Sequence, residues 1–311
     1  MLPLHAKEIV GNWATLLLPI NEDDTIDYFL LEEEIDRMIA FGVNGIYSNG
    51  TAGEFYSQTE DEFDRVSELL AAKCNAVNMP FQIGCSHMSP QISLERLKRA
   101  ISLKPGAVQI ILPDWFPPSI TEVMRFLEKM ATTAAPIGLV LYNPPHAKVK
   151  LQPNDFSLIQ QAGIPLVGCK LPGGDVAWYK AMKEHAAHLS IFIPGHHLAS
   201  GISGGAHGAY SNVACLNPAA AQQWYKQMKL DMKGALELQG RIQEFMNKYI
   251  VPFITEHKFS NQSVDKFLAA VGGWVPISQR LRWPYDWIGS NEIDRVRSGG
   301  QHLLPEFFER R

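Results

Sequence analysis

An apolar run of strand length followed by an amphipathic stretch, repeated along the chain, constrains the fold more than any other feature. Eight such runs fall at 10–18, 43–49, 80–85, 107–112, 137–142, 165–170, 190–194 and 206–211. Between them lie stretches such as 31–41, 59–73 and 119–134, whose apolar residues recur at three- and four-residue steps, the helical period. Ser57 or Thr59 before an acidic cluster, and Ser119 before Glu122, read as helix starts. Eight strand–helix repeats over about 230 residues predict a (β/α)8 TIM barrel. A doubly wound open sheet has fewer repeats and a phosphate-binding glycine turn after its first strand; here that strand ends in LLLPINEDD. Helical segments at 217–230, 231–249 and 260–271 follow. They divide the chain into a barrel catalytic domain, 1–230, and a helical C-terminal extension with its tail, 231–311. From Trp283 onward no period is evident.

A barrel of this kind places its active site at the C-terminal ends of its strands. The polar residues that end the runs are therefore the candidates: Thr51, His87, Asp114 and Trp115, Tyr142 and Asn143, Lys170, His196 and His197, Ser211 and Asn212. Lys170 follows PLVGC and has no acidic neighbour before Asp175. Such a lysine either snorkels at the barrel mouth or is desolvated and attacks a carbonyl to form an imine. Tyr142 ends IGLVLY. It is either a packed core tyrosine or a phenol able to relay protons beside that lysine. Thr51 and Ala52 lie in GTAGE, where the strand breaks before a helix. That segment is either an ordinary helix-entry turn or a set of backbone N–H groups offered to an anionic oxygen.

GTAGE (50–54), YNPP (142–145) and GCK (168–170), each at a strand end and in this order, make the chain similar to the dihydrodipicolinate synthase / N-acetylneuraminate lyase superfamily over about residues 9–270. The resemblance implies a Schiff-base lyase, an aldolase or dehydratase acting on a 2-oxo acid such as pyruvate, without a cofactor or metal. It implies that Lys170 forms the imine at C2, that Tyr142 shuttles protons, and that Thr51 hydrogen-bonds Tyr142. The N–H groups of Thr51 and Ala52 would hold the carboxylate, with Glu54 fixing the turn. Trp115, Tyr210 and Ser211 complete the implied substrate pocket, and the implied assembly is a homotetramer or homodimer. The departures are informative. Ala147 stands where the synthases carry an arginine for the second substrate's carboxylate, and the adjacent Lys148 offers no bidentate fork. Trp115 stands where a partner subunit's tyrosine is expected, and Ala52 replaces a second hydroxyl. His196 and His197 replace the acidic group expected to bind a polyol. These replacements argue against lysine biosynthesis and sialic-acid cleavage, and they raise the aromatic share of the pocket through Trp115, Phe116 and Tyr210.

Composition excludes other classes. With 28 Lys+Arg against 32 Asp+Glu, a net charge of -4 and no basic run, nucleic acid and anionic membranes are not expected partners. No apolar stretch approaches the roughly 20 residues of a membrane span, and the N-terminal residues show no signal-peptide core. Cys74, Cys85, Cys169 and Cys215 are scattered, as in a cytoplasmic protein with reduced thiols. His185, His188, His196, His197 and His207 lack a zinc-ligand spacing, His185 and His188 reading as the outer face of a helix. The glycines of GISGGAHG (201–208) fit a phosphate cradle or a close-packed helix-to-strand turn. Two other classes stand beside the lyase: a non-catalytic 2-oxo-acid-binding member of the family, and a barrel enzyme that uses phosphate or metal without an imine.

Overall fold

A computed structural model describes residues 1–210 and 212–309. Eight parallel strands, β1 Gly11–Thr15, β2 Gly45–Ser48, β3 Phe81–Gly84, β4 Ala107–Ile111, β5 Gly138–Tyr142, β6 Leu166–Lys170, β7 Ser190–Pro194 and β8 Gly208–Tyr210, close in sequence order. Closure pairs Gly11 with Gly208 and Trp13 with Tyr210. The helices between them are α1 Tyr28–Ala40, α2 Glu60–Val77, α3 Pro90–Ala100, α4 Ile120–Ala134, α5 Pro153–Gln161, α6 Val176–His185 and α7 Leu198–Gly204. This is the TIM barrel that the alternation predicts. Thr59 and Ser119 cap α2 and α4 in reciprocal boxes with Glu62 and Glu122. On α4 the buried Val123, Leu127, Met130, Ala131 and Ala134 form the stripe that packs on the strands.

Alternation along each strand sends one set of side chains outward to the helices and the other into the barrel. The inward set includes Trp13, Tyr47, Val140, Phe192 and Tyr210, which form a separate buried cluster. Trp13 meets Phe192 and Tyr210 edge to face, at 6.4 and 6.1 Å between ring centroids. Gly45 makes room for it: a Cβ there would sit 2.6 Å from the indole. These aromatics fill the barrel floor and leave its C-terminal mouth to polar side chains.

After β8 the chain forms α8 Asn212–Leu216, α9 Pro218–Leu230, α10 Met232–Phe245, α11 Val251–Thr255, α12 Asn261–Gly272 and α13 Ile293–Leu303. Between α10 and α11 a π-helical turn, Met246–Ile250, precedes Pro252, whose missing N–H interrupts the regular ladder. Helix α13 lies in the tail where no period is evident. Its Gly299 and Gly300 hide the pattern, yet they allow close approach to Tyr249 and Phe308. Gly201 and Gly204 belong to α7 and pack against Ile193 and Tyr179, so GISGGAHG is a close-packed helix end. Among the described residues no helix is long and apolar enough to cross a membrane. The four cysteines are buried and form no disulfide with one another.

Candidate active site

Tyr142 and Lys170 end adjacent strands and are direct partners in the β5–β6 register, so both side chains point into the barrel mouth. The Lys170 ammonium lies 4.4 Å from the Tyr142 ring centroid and 5.7 Å from that of Tyr210. The ladder continues past the strands, with Asn143 N–H donating to the Lys170 carbonyl at 3.0 Å. The buried Asn143 side chain then donates to the Val149 carbonyl and accepts from Leu151 N–H, which fixes the loop after β5.

Both side chains line an inner cavity of about 450 Å³, together with Thr51, Ala52 and Tyr210. Of the residues singled out in the sequence, these five converge there, and His196, His197 and Asn212 join them at the cavity's other end. Neither Thr51 N–H nor Ala52 N–H donates to a protein group among the described residues, while the turn closes through Glu54 N–H to the Thr51 carbonyl at 3.0 Å. Gly53 is needed where the turn passes β1, since a Cβ there would sit 2.9 Å from the Leu16 carbonyl oxygen. Thr51 and Tyr142 are not hydrogen-bonded to each other in this structure, although both face the cavity. Tyr210 sits deeper, its hydroxyl donating to Gln82 Oε1 at 2.5 Å. Ser211 lies outside the described residues.

Glu54 is fully buried, with a positive φ of 50°. It accepts from Lys266 Nζ at 2.5 Å and from Arg282 N–H at 3.0 Å. Lys266 is itself fully buried and also donates to the Arg280 carbonyl at 2.6 Å. This ion pair joins the GTAGE turn to α12, which is how the chain past the barrel reaches the site.

The inner cavity has a polar end made by His196, His197, Asn212, Gln243 and Asn247. Asn212 Nδ2 donates to His196 Nδ1 at 2.9 Å, and Gln243 Nε2 donates to His197 Nδ1 at 3.0 Å. Burial, helped by the neighbouring His197, pushes His196 down to about 4, so its imidazole is neutral near pH 7. His185 closes α6 against Ser157 Oγ, His188 lies past the helix end, and His207 Nδ1 accepts from Ile191 N–H. Among the described residues no three metal-ligating side chains cluster.

Trp115 lies in a second, outer chamber of about 850 Å³ that adjoins the first at Thr51, Tyr142 and Asn261. Its walls include Phe55, Tyr56, Leu112, Trp283 and Tyr285. Ala147 lines it, whereas Lys148 is turned aside, its Nζ donating to the Trp115 carbonyl at 2.7 Å. Arg282 is the one permanent cation among the described wall residues. Its guanidinium is taken up by Glu62, the Asp24 carbonyl and the Ser57 carbonyl. Sequence reasoning missed several cavity residues. Gln109 was detectable as a polar side chain at an inward strand position; Asp265, Gln243 and Asn247 lie on helices with no such signal.

The sequence profile of the dihydrodipicolinate synthetase family matches residues 8–285. The chain is 26% identical over 171 residues to 4-hydroxy-tetrahydrodipicolinate synthase of Ehrlichia canis, spanning 55% of this chain and 57% of that enzyme's length. It is 22% identical to N-acetylneuraminate lyase of Escherichia coli over 97% of this chain and 99% of the lyase. The crystal structure of a prophage protein of the dihydrodipicolinic acid synthase family from E. coli K12, in complex with pyruvate, superposes with a TM-score of 0.82 at 19% identity. That superposition covers 95% of this chain and 98% of that one.

Proposed function

This chain belongs to the dihydrodipicolinate synthetase family, and from that premise we propose that it is a Schiff-base lyase acting on a 2-oxo acid with an uncharged second half. The observation that carries the reading is the convergence of Lys170, Tyr142 and the undonated N–H groups of Thr51 and Ala52 on one inner cavity. The 2-oxo acid's carboxylate accepts from those two N–H groups, which puts its C2 carbonyl within reach of Lys170. The Lys170 ammonium gives up one proton so that Nζ can attack C2; that proton and a second from nitrogen leave with the carbinolamine oxygen as water, and the iminium keeps the single positive charge. Tyr142 supplies and receives protons at the carbinolamine oxygen. The iminium then accepts the electron pair released when a bond from C3 breaks, or returns it when that bond forms.

The second half is read from charge. Arg282 is saturated, Lys148 is turned away and Ala147 has no charge, so a second carboxylate would be desolvated beyond Tyr142 without a partner. The aromatic outer chamber and the neutral histidine end suit an aldehyde bearing hydroxyl or apolar groups. The test is borohydride reduction in the presence of pyruvate, followed by peptide mapping. A pyruvate-derived adduct on Lys170 is expected, and Lys170→Arg should abolish it while keeping the fold. Label on another lysine, or none, would overturn the reading. Condensation of pyruvate with aspartate semialdehyde should be negligible under conditions where the adduct forms.

A further inference from the structure

Helix α12 brings an acidic side chain into the imine chamber. Asn261, Val264 and Asp265, three and four residues apart, all line the inner cavity, as one face of a helix must. The next residue, Lys266, is held on another side by Glu54 and the Arg280 carbonyl, and this fixes the rotation of the helix. Asp265 therefore shares a cavity with Lys170, Tyr142 and Thr51. Among the described residues its carboxylate makes no ion pair or hydrogen bond. The titratable groups that face it are Lys170 from β6, Tyr47 from β2 and Cys215 from α8. A half-buried carboxylate with no protein hydrogen bond among the described residues, facing the cavity that holds Lys170, is free to act on a bound substrate.

We infer that Asp265 is the catalytic group that exchanges the proton at C3 of the Lys170-bound 2-oxo acid. The inference rests on the imine chemistry proposed above. In the forward step the C3–H bond breaks and its proton passes to a carboxylate oxygen of Asp265. The C–H electron pair becomes the C2=C3 bond of an enamine, and the C2=N pair returns to nitrogen. The positive charge of the iminium and the negative charge of Asp265 disappear together, which suits a poorly solvated chamber. Tyr142 and Asp265 then handle different protons, one at the C2 oxygen and one at C3. Burial holds the Asp265 carboxyl up at about 6, with the Lys170 charge opposing the rise, so it is poised to act as a base near neutral pH.

The experiment needs no second substrate. Deuterium incorporation into the pyruvate methyl group in D2O is followed by proton NMR for wild type, Asp265→Asn and Asp265→Glu, with borohydride trapping run in parallel. Asp265→Asn is expected to keep the Lys170 adduct and slow exchange by about 10²-fold or more. Asp265→Glu should restore part of the rate. The wild-type exchange rate should rise with pH through an inflection near the Asp265 value of about 6, and this inflection should vanish in Asp265→Asn. Exchange in Asp265→Asn within about twofold of wild type would overturn the inference, and so would loss of the adduct itself. If the asparagine variant misfolds, Asp265→Ser takes its place under the same criteria. Absence of any adduct in wild type would instead refute the imine reading.

Discussion

Replacing Lys266 by methionine removes one member of an ion pair whose two side chains are both 0% exposed. At 2.5 Å and an effective dielectric of about 20, the Coulomb attraction is about 6–7 kcal/mol, most of it offset by the desolvation of both ions. The pair as a whole therefore adds little to stability, but neither partner tolerates the loss of the other. In Lys266→Met the Glu54 carboxylate stays buried with a single donor, Arg282 N–H. Glu34, whose pKa burial already holds well above the usual carboxylate range, loses a favourable charge as well. The expected cost is about 3–5 kcal/mol, a large share of the roughly 5–15 kcal/mol that holds a domain folded. Glu54→Gln should cost a similar amount by stranding the ammonium. The double variant removes both members of the pair, and its remaining defects are the Arg280 carbonyl left without its donor, worth about 1–3 kcal/mol, and the loss at Glu34 shared with Lys266→Met. Urea unfolding of the four proteins at constant m-value measures the cycle. Single variants within about 1 kcal/mol of wild type, or a double variant that costs the sum of the two, would refute this account.

Tyr142→Phe should slow turnover by about 10²-fold or more while leaving pyruvate binding less affected; unchanged turnover would reduce Tyr142 to a packing residue. Trp115, at the outer chamber, and Phe116, which lines neither cavity although the sequence suggested it would, are each 82% exposed, and such aromatics are enriched where subunits meet. Light scattering should show an oligomer that is smaller in Trp115→Ala, and a monomeric wild type would refute the interface. His196 is depressed from 6.5 to about 4 by burial, so the unfolded chain binds its proton first. Its contribution to stability is present above about pH 6.5 and is lost as the pH falls towards 4. Unfolding curves should show His196→Gln less acid-sensitive than wild type over that window, and parallel pH profiles would contradict the assignment.

The barrel was legible because each half-repeat announces itself locally. A run such as IGLVLY has strand length and ends in a polar residue, and Ser119 with Glu122 marks the following helix start. Tyr142 and Lys170 each end an apolar run on neighbouring strands, at the same level of the barrel, so the sequence alone could pair them. Helix α13 escaped because two glycines replace the side chains that would have shown its period, and its packing against Tyr249 and Phe308 is visible only in three dimensions.

Asp265 was hidden for a different reason. One acid on an amphipathic helix ordinarily marks the solvated face, and nothing within 260–271 says otherwise. Its direction is set by Lys266, whose partner Glu54 is 212 residues away in the chain. The GTAGE turn thus has two outputs. Its Thr51 and Ala52 line the cavity directly, and its glutamate holds the lysine that orients the helix on the far wall. The barrel strands contribute Tyr142, Lys170 and Tyr210, while α12, the π-helical turn and α11 contribute Asn261, Val264, Asp265, Asn247 and Val251 to the same chamber. A pocket shared this way couples chemistry to the folding of the C-terminal helices. A change at Glu54 that frees α12 should therefore disturb proton exchange at C3 even where the strand-end residues are intact.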